Sequence, residues 1–456
     1  MRRQMIFGPP GTGKTTYLME LLGKELKGRF ASKVAFASFT RQGTYEGAQR
    51  AKKQYKLSDH GLKHFRTIHS LCFKAMGTDR SSIITKFHYR ELSEKTGINF
   101  TGYYTDDFSC SDDIYLHIVS MEKHNHKLAN ALSQEVDENK LDFVRFQYAE
   151  MKKQIGIIDF DDLLLNYEKH GKPLPVEVAF IDEGQDLTPL QWRIVAKLFG
   201  KAKKIYVAGD DDQSVFAWAG ADVKRFLAYS RKQKVLTHSY RVPFTVHKIA
   251  SRIAKDISVR KEKKYTPRDA VGHFENHATL NDVPIEGGEL VLCRTNRLLQ
   301  GMAESLNSMG IPYRYKGKLS IDRQLVKGIH TYEQCQEGKV SVDELSKYSS
   351  YFPEMHSSKP WYTALSPEYN ANYYKLAMPR IKQKPVLLET FHSSKGSEND
   401  HVILDLSMTN RVDEGYRSDP DAELRCLYTA VTRAKNRLTV LAPSTQHHYP
   451  GHYFMV

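Results

Sequence analysis

Eight residues near the start of the chain, Gly8-Pro9-Pro10-Gly11-Thr12-Gly13-Lys14-Thr15, restrict what it can fold into more than any other stretch. Their spacing is G-x-x-x-x-G-K-[ST], the pattern of a phosphate-binding P-loop. Met5-Ile6-Phe7 in front reads as a short buried strand, and Thr16-Tyr17-Leu18-Met19-Glu20-Leu21-Leu22 behind reads as the helix that must follow. Glycines let the backbone curl so that successive N–H groups face phosphate oxygens, and the positive end of the helix dipole adds to the attraction. Lys14 can then reach the β and γ phosphates while the Thr15 hydroxyl ligates Mg²⁺, with Thr16 beginning the helix. A Gly-rich turn that binds nothing is the alternative; strand, loop, Lys-Thr pair and helix together argue against it.

The chain continues in a β-α-β-α rhythm. Val34 to Thr40 reads as a second buried strand, Thr44 to Lys53 as a helix, and His64 to Phe73 as a strand running into a helix. This is the opening of a parallel α/β sheet. From about Thr78 to Ile155 the texture turns polar and rich in Tyr and His, with helical stretches near Phe87–Lys95 and Leu141–Lys153, so a mostly helical insertion is expected. Ile158 to Leu165 returns to a main-domain helix; its Asp159, Asp161 and Asp162 could suggest a metal, but an acidic helix N-terminus explains them better. Val176 to Ile181 is an apolar strand ending in Asp182-Glu183. After a P-loop, that pair is the second half of a nucleoside triphosphatase site: Asp182 holds Mg²⁺ through water, and Glu183 orients and deprotonates the attacking water. Ile205 to Gly209 ends in Asp210-Asp211-Asp212-Gln213, where Gln213 is the candidate for sensing the γ-phosphate. Phe216 and Trp218 follow at once, as core or as a platform on which bases stack, usually worth about 1–3 kcal/mol per base.

The second half repeats the plan. A second sheet is expected to begin near Val235, with Arg260-Lys261-Glu262-Lys263-Lys264 as a solvated loop. Leu290–Arg294 is a strand followed by a helix through Leu306. Residues from about 320 to 384 lose the rhythm and read as a second insertion, after which Val386–Thr390, His401–Leu406 and Arg437–Leu441 read as strands. The expected organisation is two α/β units: 1–77 with 156–234, interrupted by 78–155, then 235–319 with 385–456, interrupted by 320–384.

Lys and Arg number 67 against 53 Asp and Glu, a net charge of +14, which points to a polyanionic partner, nucleic acid before anionic membrane. The five cysteines, Cys72, Cys110, Cys293, Cys335 and Cys426, show no C-x-x-C pair and read as reduced thiols rather than a disulfide frame or zinc site. No apolar run approaches membrane length, and Arg2-Arg3 is not followed by the hydrophobic stretch of an export signal, so a soluble, cytoplasmic protein is expected. The tail His447-His448-Tyr449-Pro450-Gly451-His452 reads as a solvated terminus.

Taken in order, the motifs resemble those of superfamily 1 DNA helicases of the UvrD/Rep/PcrA type. After the P-loop, Ala37-Ser38-Phe39-Thr40 is similar to the family's TFT segment and Thr67-Ile68-His69-Ser70-Leu71 to its TFHSL. Asp159-Phe160-Asp161-Asp162-Leu163 resembles DFDDL, Ile181-Asp182-Glu183-Gly184-Gln185-Asp186 resembles DExQD, and Gly209 to Trp218 resembles GDxDQSIYxW. Ser239-Tyr240-Arg241 is similar to NYR, Cys293-Arg294-Thr295-Asn296 to YRTN, Thr390 to Glu398 to TIHxxKGLE, and Leu427 to Lys435 to LYVALTRAK. The resemblance implies two RecA-like parallel-sheet domains, ATP and Mg²⁺ as substrate and cofactor, and single-stranded or tailed duplex DNA as partner. It implies that Arg241 and Arg433 reach from the second domain to the γ-phosphate, that Tyr240 stacks on the adenine, and that Glu398 accepts a bond from the ribose. It further implies that Phe39, Phe216 and Trp218 stack on bases while His69, Asn296 and His392 contact or couple to the strand, as alternate closing and opening moves DNA, 3′ to 5′ in the family.

Three departures stand out. Only seven residues precede Gly8, with Gln4 the sole glutamine, where the family has a Gln-containing segment that reads adenine; strict preference for ATP is therefore not expected from this segment. Ala219 stands where an arginine follows the tryptophan, and the second insertion is shorter than the family's regulatory domain. The expected function is an ATP-dependent DNA helicase or translocase in replication, repair or recombination, acting as a monomer or weak dimer with possible replication or repair proteins. A translocase that strips bound proteins, or a nucleotide-switched DNA-binding module, are the alternatives.

Overall fold

The structure is a computed structural model that describes residues 2–102, 112–124, 126–354 and 359–455; Cys110 lies outside the described residues. The chain divides into two compact units, one of Met1–Arg241, Ala254–Arg268 and Asp421–Cys426, the other of Val242–Ile253, Asp269–Pro420 and Leu427–Val456.

The first unit is built on β1 (Arg2–Phe7), β2 (Val34–Ser38), β3 (Val178–Asp182), β4 (Lys204–Gly209) and β5 (Gln233–Val235), all parallel, in the order β2-β3-β4-β1-β5. A parallel sheet carries helices on both faces, so its strands must be apolar on both sides. The alternation is visible residue by residue. Met5, Phe7, Ala35, Ala37, Ala179, Ile181, Ile205 and Val207 point to one face and pack with the helices Ile68–Met76, Phe160–His170 and Pro189–Leu198. Ile6, Val34, Phe36, Val178, Phe180, Tyr206 and Ala208 point to the other and pack with the helices Lys14–Leu26 and Arg41–Tyr55.

Two expectations are corrected here. The second sheet does not begin near Val235: β5 pairs with β1, Met5 opposite Gln233 and Phe7 opposite Val235. No strand precedes the helix Ile68–Met76; Phe65 makes only a single bridge to Phe36, and Thr67 caps the helix by accepting from the Ser70 N–H. Both segments are short and half polar, which lets packing against neighbours decide their form.

The sheet of the second unit contains β6 (His273–His277), β7 (Leu290–Cys293), β8 (Tyr313–Tyr315), β9 (Lys318–Leu319), β10 (Val386–Thr390), β11 (Asn399–Asp405) and β12 (Ala434–Leu441). Their order is β6-β12-β11-β7-β10-β8-β9, parallel except for the β8–β9 hairpin. Residues 321–381 carry a separate small core around Leu325, Ile329, Tyr332, Phe352 and Trp361.

Residues 84–157 of the first unit also have their own core, with Leu92, Ile118, Leu141, Val144 and Tyr148 at its centre. The stretches read as helical from sequence lie within the helices Lys86–Thr96 and Glu138–Ile155. This helical part is tied to the sheet-packed helix Phe160–His170 by charge. Asp159 caps that helix and accepts from Lys123 at 2.6 Å, Lys152 at 2.7 Å and the Tyr148 hydroxyl at 3.0 Å. Asp162 takes the same two lysines at 2.7 and 2.5 Å, and Asp161 takes His124 at 2.8 Å and Ser120 at 2.5 Å. The three aspartates thus serve the helix start, as expected, and also anchor the helical part.

Burial raises the Asp159 pKa, but Lys123 and Lys152 outweigh it and hold the carboxyl well below its usual range. With a lowered folded-state pKa, its stabilisation is complete above about pH 4 and is lost as pH falls below that. Lys123→Met should therefore move the acid-unfolding midpoint to higher pH and cost about 3 kcal/mol at neutral pH, the scale for removing one partner of a buried pair. Urea titrations at pH 7 and pH 4 check this, and an unchanged midpoint at pH 7 rules out the anchor.

Candidate nucleotide site and strand platform

In a parallel sheet the strands end together, and ligands bind beyond their carboxyl ends. Ser38 lies opposite Asp182 and Phe7 opposite Gly209, so Gly8, Glu183 and Asp210 are the next residues along one edge. The P-loop opens with the Gly8 N–H donating to the Gly209 carbonyl at 3.0 Å. Thr12 closes the turn, its hydroxyl donating to the Pro9 carbonyl at 2.8 Å, and the helix begins at Lys14, with Thr16 exposed in its first turn. Gly11 has a φ of 72°, and a Cβ there would lie 2.4 Å from the Cβ of Arg241. Both conformation and close approach demand glycine.

Lys14 Nζ lies 3.1 Å from Glu183 Oε2, and the Thr15 hydroxyl donates to Asp182 Oδ2 at 3.1 Å. Glu183 itself has a φ of 55°, a left-handed conformation uncommon for residues that carry a side chain. Gln185, to which sequence reasoning assigned no role, joins the parts. Its Nε2 donates to Glu183 Oε2 at 2.6 Å, and its Oε1 accepts the Asp210 N–H at 3.0 Å. Gln213 Nε2 donates to Asp210 Oδ2 at 2.6 Å. Lys14, Thr15, Asp182, Glu183 and Gln213 are thus brought together. Burial, reinforced by the Glu183 charge, pushes the Asp182 carboxyl up to about 6 despite Lys14 and Thr15. Burial would lower Lys14, but Glu183, Asp182 and Asp210 together hold it above its ordinary value.

Tyr240 and Arg241 belong to the unit that carries the P-loop, which corrects the expectation that Arg241 comes from the second. The Tyr240 N–H donates to the Gly11 carbonyl at 2.9 Å and the Ser239 hydroxyl to the Pro10 carbonyl at 2.8 Å. The Tyr240 ring is 71% exposed and passes within 3.9 Å of where a Gly13 Cβ would stand. An aromatic face is thereby presented beside the loop.

The basic run at 260–264 is not the solvated loop expected. Lys263 is buried and paired with Asp210, Asp211 and Asp212, and Arg260 is bonded to Asp212. Three consecutive carboxylates after a buried strand require counter-charges. That requirement was the available signal; which cations meet it was not readable.

On the same edge, the rings of Phe39 and Phe216 lie 5.1 Å apart and those of Phe216 and Trp218 6.3 Å apart, all partly exposed. His117 Nε2 donates to the Trp218 carbonyl at 2.9 Å. Next to Phe39 a cleft of about 1220 Å³ is lined by Arg41, Arg66, Lys74 and Arg80 with Phe160, and no carboxylate is among its described lining residues. His69 lines it too, against Phe160 at 5.8 Å; burial, with Asp161 opposing and His124 adding, takes its pKa down to about 4. His69 is therefore neutral at pH 7.

Glu398, Arg433, Asn296 and His392 lie in the second unit. Arg433 is buried there, Nε donating to the Thr429 carbonyl at 2.9 Å and Nη1 to the Ser397 carbonyl at 3.1 Å. Asn296 starts a helix and accepts the Tyr315 hydroxyl at 3.1 Å; Glu398 is exposed and His392 partly so.

A P-loop whose lysine and threonine meet an acidic pair at the next strand end defines the class, a P-loop nucleoside triphosphatase site. The UvrD/REP helicase N-terminal domain matches residues 2–234, a little over half the chain, and the UvrD-like helicase C-terminal domain matches residues 385–441. The chain belongs to the UvrD/REP helicase family. It is 22% identical over 378 residues to the ATP-dependent DNA helicase PcrA of Staphylococcus aureus (strain NCTC 8325 / PS 47), covering 72% of this chain and 51% of that protein. It is 21% identical over 370 residues to the ATP-dependent DNA helicase PcrA of Staphylococcus epidermidis (strain ATCC 12228 / FDA PCI 1200), with the same coverage. The chain spans about half the length of these relatives. Among solved structures it is similar to the Arterivirus nonstructural protein 10 helicase, with a TM-score of 0.39, 12% identity, and 100% of this chain against 62% of that one covered.

Because the folded-state pKa of Asp182 lies above the value near 4 of an unfolded aspartate, its ionisation destabilises the ligand-free fold as pH rises from about 4 to about 6, and the penalty persists above. Asp182→Asn should remove it, raising stability at pH 7.5 on the order of 1 kcal/mol and leaving it unchanged at pH 4. Thermal melts at both pH values check this; equal melting at pH 7.5 contradicts the buried like-charge pair.

Proposed function

We propose that this protein is an ATP-driven motor on single-stranded DNA that unwinds duplex DNA, moving 3′ to 5′. The observation that carries the reading is the continuous set of bonds Lys14–Glu183–Gln185–Asp210–Gln213 along one sheet edge, with the aromatic platform on that same edge. A nucleotide's phosphates compete with Glu183 for the Lys14 ammonium. Glu183, held by Gln185, is then placed to take a proton from water, and Gln213 to face the terminal phosphate. Tyr240 stacks on the base and Arg241 stabilises phosphate charge. The Thr15 hydroxyl and the Asp182 carboxylate, 3.1 Å apart, offer the oxygen donors that a hard divalent cation takes, which fits Mg²⁺. Mg²⁺ held there would neutralise charge on the β and γ oxygens. Among the described residues, no group of three or more His, Cys, Asp or Glu could hold a metal unaided, in keeping with a site that the nucleotide completes.

The strand side combines stacking surfaces at Phe39, Phe216 and Trp218 with the cations Arg41, Arg66, Lys74 and Arg80, the pairing that sequence-tolerant single-strand binding uses. Asn296 and His392 are assigned to strand contact, and Glu398 and Arg433 to the nucleotide, on the resemblance. The five-stranded unit and its helical part, with the second sheet and its smaller core, are read as the family's two motor domains and their insertions. Among the described residues no helix is long and apolar enough to cross a membrane.

ATP hydrolysis should rise at least tenfold with single-stranded DNA, and Lys14→Ala or Glu183→Gln should abolish it. Duplexes with a 3′ or a 5′ tail then distinguish unwinding and its direction; hydrolysis indifferent to DNA sinks the motor reading. Arg66→Ala with Lys74→Ala should lower the slope of log affinity against log salt by about one to two for oligothymidylate, the effect of losing two phosphate contacts. An unchanged slope takes the strand out of this cleft.

A further inference from the structure

We propose that Lys263 is a positioning residue for Gln213, acting through Asp210. Its side chain is 1% exposed and its Nζ lies 3.0 Å from Asp210 Oδ1, 2.5 Å from Asp211 Oδ1 and 2.9 Å from Asp212 Oδ2. The three carboxylates are not equivalent. Asp212 is also held by Arg260 at 2.9 and 2.7 Å. Asp211 accepts the Lys261 N–H at 2.7 Å, and its carbonyl accepts Arg425 Nε at 2.9 Å. Of the three, it is Asp210 whose bonds run to Gln213 and Gln185. Its second oxygen accepts Gln213 Nε2, and its N–H reaches Glu183 by way of Gln185.

Asp210 is paired by charge with the Lys263 ammonium at Oδ1, with no hydrogen bond at that oxygen among the described residues, and accepts the Gln213 amide at Oδ2; the two together favour one orientation of the carboxylate and of the amide. Without the Lys263 ammonium, Asp210 Oδ1 loses its buried counter-charge, and the carboxylate is free to turn and carry the Gln213 amide with it. Lys263 comes from Ala254–Arg268, a segment remote in sequence from Gln213 that packs in the same unit. Thr266, three residues on, fixes the Ser239 N–H through its carbonyl at 2.9 Å, so one segment supports both Gln213 and the Tyr240–Arg241 side of the loop.

This proposal rests on Gln213 serving in a nucleotide-hydrolysing site, and the test separates the two. Lys263→Met with Asp211→Asn removes one cation and one anion and keeps the cluster's net charge. With saturating oligothymidylate, kcat for ATP should fall about tenfold or more while KM stays within about threefold and the melting temperature holds within a few degrees. Added to Gln213→Ala, the pair should bring no further loss, because both changes disable one element. Unchanged kcat, or losses that multiply, overturn the proposal. If the wild type hydrolyses nothing, the motor reading fails, but the Gln213 side-chain NH₂ signal, identified by its loss in Gln213→Ala, still decides. It should exchange with water at least about tenfold faster in the pair variant, and equal protection overturns the link. If the pair variant does not fold, Lys263→Met with Asp212→Asn is read in the same two ways.

Discussion

An ammonium and several carboxylates held out of water at one end of a sheet are stable only where each finds a counter-charge or a hydrogen bond. That requirement shapes the first unit. Lys14 is balanced by Glu183, Glu183 is steadied by Gln185, and Gln185 reaches the backbone of Asp210. Asp210 and its two neighbours are balanced in turn by Lys263 and Arg260. The parallel sheet makes the concentration of charge possible, because it brings the ends of β1, β3 and β4 to one edge with apolar walls on both faces. The same low-dielectric walls make each charge matter more, which is why Asp182 keeps its proton up to about pH 6.

The strand platform depends on this edge as well. Phe216 and Trp218 follow Gln213 by a few residues, so a change at Gln213 has a short covalent path to the aromatic surface. The helical part adds a second hold: His117 bonds the Trp218 carbonyl, and Asp159, Asp161 and Asp162 bind lysines and a histidine from its helices. Residues that look like an acidic cluster in sequence are therefore an anchor between layers, and no carboxylate is among the described residues that line the basic cleft beside them.

Much of the nucleotide site was legible because its chemistry is local. The P-loop, the acidic pair and Gln213 each sit just beyond an apolar strand, and parallel topology carries such positions to one edge. Phe39, Phe216 and Trp218 were legible as aromatic surface, and two of their rings do come within contact distance. Lys263 was not. Five basic or acidic residues in a row read as solvated, and only the arrival of that segment beside Asp210–Asp212 buries one of them. Arg241 was assigned to the wrong unit for a related reason: β5 is three residues long and mostly exposed, so nothing in its pattern says that it closes the first sheet.

The sequence by itself determined that a P-loop pattern lies between a strand and a helix, that an acidic pair waits at a later strand end, and that two α/β units carry the motifs. These follow from short-range pattern, where spacing dictates geometry. Tertiary structure alone decided which cation neutralises which carboxylate, which segments return to the first unit, and which backbone approaches Gly11 closely enough to forbid a side chain. Those pairings join residues dozens to hundreds of positions apart, and a charge in a sequence carries no mark of its partner until packing removes the water between them.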